Sequence, residues 1–168
     1  MPGYYYDEFE VGRVFKHAIR RTVTETDNVL FSTMTHNPAP LHIDHEYMRT
    51  QSEFGKPLVN SFFTLGLIVG ISINDTTLGT TVANLGLDGV RFPGPLFVGD
   101  TVHVETEVVA MRASESRPQN GILTLEHRGY NQRDVLVAIC RRNVLMLRAS
   151  DRVGADPQTN EPRERGSS

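Results

Sequence analysis

The run Pro57-Leu-Val-Asn-Ser-Phe-Phe-Thr-Leu-Gly-Leu-Ile-Val-Gly-Ile-Ser-Ile73 constrains the fold more than any other stretch of this chain. From Leu58 onward only Asn60, Ser61, Thr64 and Ser72 interrupt apolar or small residues, and no polar face remains on a helical wheel. A helix that is apolar all round must be covered by protein or by lipid. Leu58 to Ile73 would rise about 24 Å, short of the ~20 apolar residues that cross a bilayer. Gly66, Gly70 and the Asn60-Ser61 pair suit close packing against protein. The reading is a buried central helix that begins at Pro57, a residue suited to a first helical turn.

A chain of 168 residues can bury one sizeable core but not two. Its hydrophobic content of 39% and charged content of 22% are those of a soluble globular domain. The net charge of -3 leaves no basic footprint for nucleic acid, and no membrane partner is expected. The pairs Arg20-Arg21 and Arg141-Arg142 read as strand residues with solvated heads. The single Cys140 excludes an internal disulfide and stands in an apolar run, as a small buried hydrophobe would. Met1-Pro-Gly-Tyr-Tyr-Tyr6 has no basic region followed by an apolar core, so a cytoplasmic location is expected.

Along the chain, Val14 to Val23 reads as one strand with Phe15, Ile19 and Val23 on one side, and His17 on that side as a partly exposed or satisfied histidine. Thr24-Glu-Thr-Asp27 has the form of a capping box and starts a short helix through Val29, Leu30, Phe31 and Met34. Pro38 and Pro40 end that helix and predict a rigid, extended loop from Asn37 to Asp44. Asp44 then caps a second short helix, and Glu53-Phe-Gly-Lys56 turns into the apolar run. After the polar break Asn74-Asp-Thr-Thr77 the pattern becomes strand-like. Thr81 to Phe92 is one strand, with Gly86 and Gly89 marking bends. Thr101 to Val108 alternates, with Val102, Val104 and Val108 opposite His103, Glu105 and Glu107, so one face is buried. Ile122 to Asn131 and Val135 to Leu147 form a hairpin joined near Asn131-Gln-Arg-Asp134. From Ala149 to Ser168 the chain is polar and rich in charge, which predicts a disordered tail. The fold class is α+β, one helix packed on a curled antiparallel sheet.

The chemistry concentrates in Thr35-His-Asn-Pro-Ala-Pro-Leu-His-Ile-Asp-His45. No cysteine accompanies these histidines and their spacing fits no zinc pattern, so neither a metal nor a cofactor is expected. A proline-stiffened loop holds a proton-transfer group at low entropic cost. His42 is the candidate, since imidazole ordinarily titrates near neutral pH. Asn37 stands across the Pro-Ala-Pro-Leu segment and can converge with it. On local sequence alone, both residues could equally satisfy backbone groups of the loop. The first N–H groups of the apolar helix, near Asn60 and Ser61, lack intrahelical partners and can meet a carbonyl oxygen as an oxyanion hole. A histidine and such a helix start point to chemistry beside a carbonyl.

These residues also form a pattern. Asn37-Pro-Ala-Pro-Leu-His42-Ile-Asp44 resembles the motif G-D-x-N-P-[LIV]-H-x-D of the MaoC-like hydratases, the (R)-specific type-2 enoyl-CoA hydratase group. Phe54-Gly-Lys-Pro-Leu-Val-Asn-Ser-Phe-Phe63 is similar to that family's F-x-x-P-I-V-H-G-M-L helix start. Arg91-Phe-Pro-Gly-Pro-Leu-Phe-Val-Gly-Asp-Thr-Val102 is similar to its R-F-x-x-P-V-x-x-G-D-x-L. The resemblance implies a hot-dog fold over 1–148, a long helix wrapped by a curved antiparallel sheet. It also implies homodimers or higher oligomers and acyl-CoA thioester substrates. His42 matches the catalytic histidine, and Ser61 matches the helix-start glycine whose backbone N–H polarises the thioester carbonyl. Asn60 matches that motif's histidine. Asn37 stands at the family's aspartate, and an amide can orient water but cannot exchange its proton. His42 would then carry more of the proton transfer, with His36 and Asp44 as nearby supports, although Asp44 also reads as a helix cap. Arg91 is placed to meet a substrate carboxylate, a phosphate, or nothing beyond its own strand. The expected activity is a hydro-lyase on short, branched or dicarboxylic enoyl-CoA esters of mesaconyl type. The alternatives are a hot-dog thioesterase, disfavoured because no carboxylate lies between Pro57 and Ile73, and a non-catalytic acyl-CoA-binding protein.

Overall fold

The structure is a computed structural model, and it describes residues 3–151. The predicted strand at Val14 to Val23 is two short pieces, β1 (Val14–Lys16) and β2 (Arg21–Thr22), both antiparallel to one long strand. Just beyond β1, His17 still donates its N–H to the Val104 carbonyl and buries its ring, bonded to Asp75 and Thr106. Ile19 is exposed, which an unbroken strand would not have placed there.

Helix α1 (Glu25–Met34) begins with the expected box, in which Thr24 accepts the Asp27 N–H and Asp27 reaches back to the Thr24 N–H. It packs the other way round from its apolar pattern. Asn28 and Ser32, four residues apart, are buried, while Leu30 and Met34 face outward. The segment from Asn37 to Asp44 is not extended throughout. Pro40 opens a single helical turn, α2 (Pro40–Ile43), because its fixed φ suits the first helical position. Asp44 caps α3 (His45–Gln51) by accepting the Tyr47 N–H at 2.8 Å.

The apolar run is straight helix only as α4 (Ser61–Ile73). Pro57 to Val59 is extended instead, since the Val59 N–H bonds the Leu96 carbonyl at 2.8 Å and Leu58 pairs with Phe97. These partners, distant in sequence, outcompete the first turn of helix. Nor is α4 covered all round: Ile68, Ile71 and Ser72 are buried, but Phe62, Gly66 and Gly70 are exposed in the single chain. Among the described residues no helix is long and apolar enough to cross a membrane.

The long strands are β3 (Thr81–Arg91), β4 (Thr101–Ala113), β5 (Gly121–Tyr130) and β6 (Leu136–Met146). They form one antiparallel sheet in the order β1-β4-β5-β6-β3, with β2 also on β4. Irregular pairing between β3 and β6 brackets Gly86 and Gly89, the positions expected to bend. Gly89 takes a φ of +59°, which disfavours a side chain there. Val102, Val104, Thr106 and Val108 face inward from β4, and α4 lies across this concave face. The result is the hot-dog arrangement, a helix held in a curved antiparallel sheet.

Two apolar clusters share the interior, one around Val59, Ile68, Val104 and Val137, the other around Phe15, Val108, Leu125 and Met146. Between them lie buried Thr106, His127 and Arg142. Arg141 is solvated and paired with Glu126, as expected, but Arg142 is 4% exposed, since adjacent strand residues point to opposite faces. Of the expected tail, Ala149–Asp151 is a helical turn held to Asp7 through the Ala149 N–H, and 152–168 lies outside the described residues.

Candidate active site

His42 and Ser61, nineteen positions apart in the numbering, line one cavity of about 300 Å³. Thr64 joins them on α4, and Phe92-Pro-Gly-Pro-Leu96 closes the opposite wall. The proline-rich link between β3 and β4 is thus a wall of the pocket. No Asp, Glu, Lys or Arg lines it.

His42 is 8% exposed and its Nδ1 lies 3.0 Å from the carbonyl oxygen of Leu58. A carbonyl only accepts, so a neutral His42 carries its proton on Nδ1 and keeps Nε2 as a base. The supporting strand is held too, because the Leu58 N–H bonds the Leu41 carbonyl at 2.9 Å. Ser61 is the first residue of α4, where an N–H has no acceptor within the helix. Asn60 caps the helix by accepting the Phe62 N–H at 3.0 Å and is itself buried. The His42 ring and the first residue of α4, where the positive end of the helix dipole lies, therefore border one cavity.

The other expected residues fall elsewhere. Asn37 does not line this cavity: its Oδ1 accepts the Ala39 N–H at 3.2 Å, and it borders a neighbouring cavity with His36 and Ile43. His36 has a φ of +54°, which accounts for a glycine at the matching motif position. Asp44 is spent on capping α3, and His45 pairs with Glu25 on the surface. Arg91 ends β3, exposed, next to the cavity residue Phe92. Asp100 of the third motif is buried and structural, accepting the Phe97 N–H and a Gln132 amide proton. Burial pushes the Cys140 thiol up to about 11, which leaves no thiolate for nucleophilic work. Among the described residues no group of three His, Cys, Asp or Glu side chains could hold a metal ion.

Asn28 was not legible from sequence. It is 1% exposed and donates from Nδ2 to the His42 carbonyl at 2.8 Å and to the Leu58 carbonyl at 3.0 Å. Its Oδ1 accepts the Asn60 N–H at 2.8 Å. The only signal in the sequence was an Asn–Ser pair at helical spacing inside an apolar pattern, which more often marks a solvated face.

The MaoC like domain family matches residues 8–131. The chain belongs to this family. The β-methylmalyl-CoA dehydratase of Chloroflexus aurantiacus is 27% identical over 161 residues, 96% of this chain and 45% of that protein. The mesaconyl-CoA hydratase of Cereibacter sphaeroides is 28% identical over 165 residues, 98% of this chain and 47% of that protein. The chain thus spans about half the length of the curated relatives it matches. A conserved hypothetical protein of Mycobacterium tuberculosis, solved as a double hot-dog fold, superposes with a TM-score of 0.79 at 25% identity. That match covers 97% of this chain and 53% of the other.

Proposed function

We propose that this MaoC-like chain is a hydratase/dehydratase of short 2-enoyl-CoA and 3-hydroxyacyl-CoA thioesters. The observation that carries the reading is the shared cavity, lined by His42 and by Ser61, the first residue of α4. In the hydration direction, His42 Nε2 takes a proton from a water whose oxygen bonds to the β-carbon. The π electrons move towards the thioester carbonyl, and the Ser61 N–H stabilises the enolate oxygen. The imidazolium then returns its proton to the α-carbon, so one water is added and the base is regenerated. With the Asn37 amide turned onto its own loop, we assign Asn37 to shaping the segment that presents His42.

Relatives named for β-methylmalyl-CoA and mesaconyl-CoA support a small, branched or dicarboxylic acyl group. Since no cationic side chain lines the cavity, Arg91, adjoining Phe92, is the group we assign to a second carboxylate. We also propose a homodimer, in which a second copy stands where the longer relatives carry their other half. The edge strand β3, with Val82, Leu85 and Leu87 exposed, and the uncovered side of α4 at Phe62 support it.

Incubation with crotonyl-CoA and mesaconyl-CoA tests the activity. Loss of enone absorbance is expected, and His42→Ala should lower kcat by ~100-fold or more. Free thiol in place of hydration would make the protein a thioesterase, and binding without turnover would make it a carrier or sensor.

A further inference from the structure

We infer that Asn28 is a positioning residue that sets the base against the oxyanion site. The inference rests on the proposed role of His42. One buried amide ends on three backbone groups from the two segments that build the site. It donates to the His42 carbonyl in α2 and to the Leu58 carbonyl, and it accepts the N–H of Asn60, the cap of α4. The Leu58 oxygen it holds is the one that receives His42 Nδ1–H and so fixes the tautomer. Asn28 therefore governs two quantities together: which ring nitrogen of His42 is the base, and how far that base stands from the start of α4.

The amide satisfies the His42 carbonyl and the Asn60 N–H in the interior, where unpaired polar groups are costly, and it adds a second donor to the Leu58 carbonyl that His42 Nδ1 already meets. Aspartate in place of Asn28 keeps the acceptor and the size but, when ionised, turns an oxygen on two carbonyls. Leucine or alanine removes both halves. Ser32 provides a control, because its hydroxyl bonds only the Asn60 side chain, at 3.2 Å, and neither the base nor its carbonyl.

The experiment compares the native chain with Asn28→Ala, Asn28→Asp and Ser32→Ala. Hydration kinetics over pH are combined with ¹⁵N NMR of the His42 imidazole in the protein without substrate. Asn28→Ala is expected to lower kcat on the order of 10- to 100-fold with KM changed about 2-fold or less, as misplacement of a reacting group does. Its His42 ring should lose the single Nδ1–H tautomer. Asn28→Asp, protonated at lower pH, can donate once, so its kcat relative to the native chain should rise as pH falls. Ser32→Ala should leave kcat within about 2-fold. A kcat for Asn28→Ala within about 2-fold of native, with only the Tm lowered, would overturn the inference. So would an unchanged tautomer. The NMR arm stands apart from turnover: if the native chain hydrates no thioester or His42→Ala is fully active, the functional reading fails, while the tautomer still decides whether Asn28 orients the ring. Should Asn28→Ala not fold, Asn28→Asp carries the same decision through its pH-dependent ratio, and a flat ratio overturns the inference.

Discussion

Stability below neutral pH should depend on one buried histidine remote from the proposed active site. His127 on β5 is fully buried, with Nδ1 2.9 Å from the Thr106 hydroxyl and Nε2 unpartnered among the described residues. The proton positions follow from the neighbours. The Asp75 carboxylate accepts, so His17 Nδ1 donates to it over 2.6 Å. With a neutral His17 ring, Nε2 then takes the Thr106 hydroxyl proton over 2.7 Å, and Thr106 accepts from His127. A second proton on His127 would be buried without an acceptor and beside the Arg142 guanidinium. Burial first, then the Arg142 charge, push His127 down from 6.5 to about 3, and His17 adds to this only in its protonated form. Because the folded value is the lower one, the unfolded chain binds a proton that the folded chain refuses. The contribution is complete above pH 6.5 and is lost as pH falls towards 3. The slope reaches about 1.4 kcal/mol per pH unit, so roughly 2 kcal/mol is lost by about pH 5. Urea unfolding at about pH 7.5 and pH 5 would measure it, comparing the native chain with His127→Gln, whose amide can still donate to Thr106. The native chain should lose roughly 2 kcal/mol more than the variant. Equal losses would refute the reasoning, as would an imidazolium signal for His127 at about pH 5 in the folded native chain.

Asn60→Ala removes the cap of α4 together with its bond to Ser32 and should cost about 1–2 kcal/mol in chemical denaturation, with kcat falling as the helix start loosens. Gly129→Ala would place a methyl group on Ile68 Cγ2, a fully buried atom of the α4–sheet contact, and should destabilise by about 1–3 kcal/mol, read as a lower urea midpoint. The Cys140 thiol, buried and pushed up to about 11, should react with a disulfide reagent only after denaturation, so stoichiometric labelling of the folded chain would contradict its placement.

The buried polar layer also bears on how the two ends of α4 differ. At its start, Asn60 caps the helix and Ser61 borders a cavity. At its end, Thr76 and Thr77 close the helix, and Arg142 donates to the Thr77 hydroxyl at 3.3 Å. A cation at the negative end of a helix dipole is favourably placed, which offsets part of the cost of burying it. Burial nonetheless pulls the Arg142 guanidinium below its usual value.

The local elements were legible in the sequence because each is decided within four residues or one strand period. The Thr24–Asp27 box, the Asp44 cap, the alternation of β4 and the polar break after Ile73 all stand where the pattern put them. The motifs around His42, Ser61 and Asp100 also identified the family, since together they span about half of the chain. What only the tertiary structure decided are the outcomes of competition between distant partners. Leu58 and Val59 left the helix for the backbone at Phe97 and Leu96. Helix α1 turned Asn28 inward onto three backbone groups of the site and Ser32 onto the Asn60 side chain, and no periodicity records those partners. Of two adjacent arginines, Arg141 met Glu126 in solvent and Arg142 went beneath α4. Asn37 and His42 share a motif but not a cavity, because the turn that Pro40 starts carries only His42 towards Ser61.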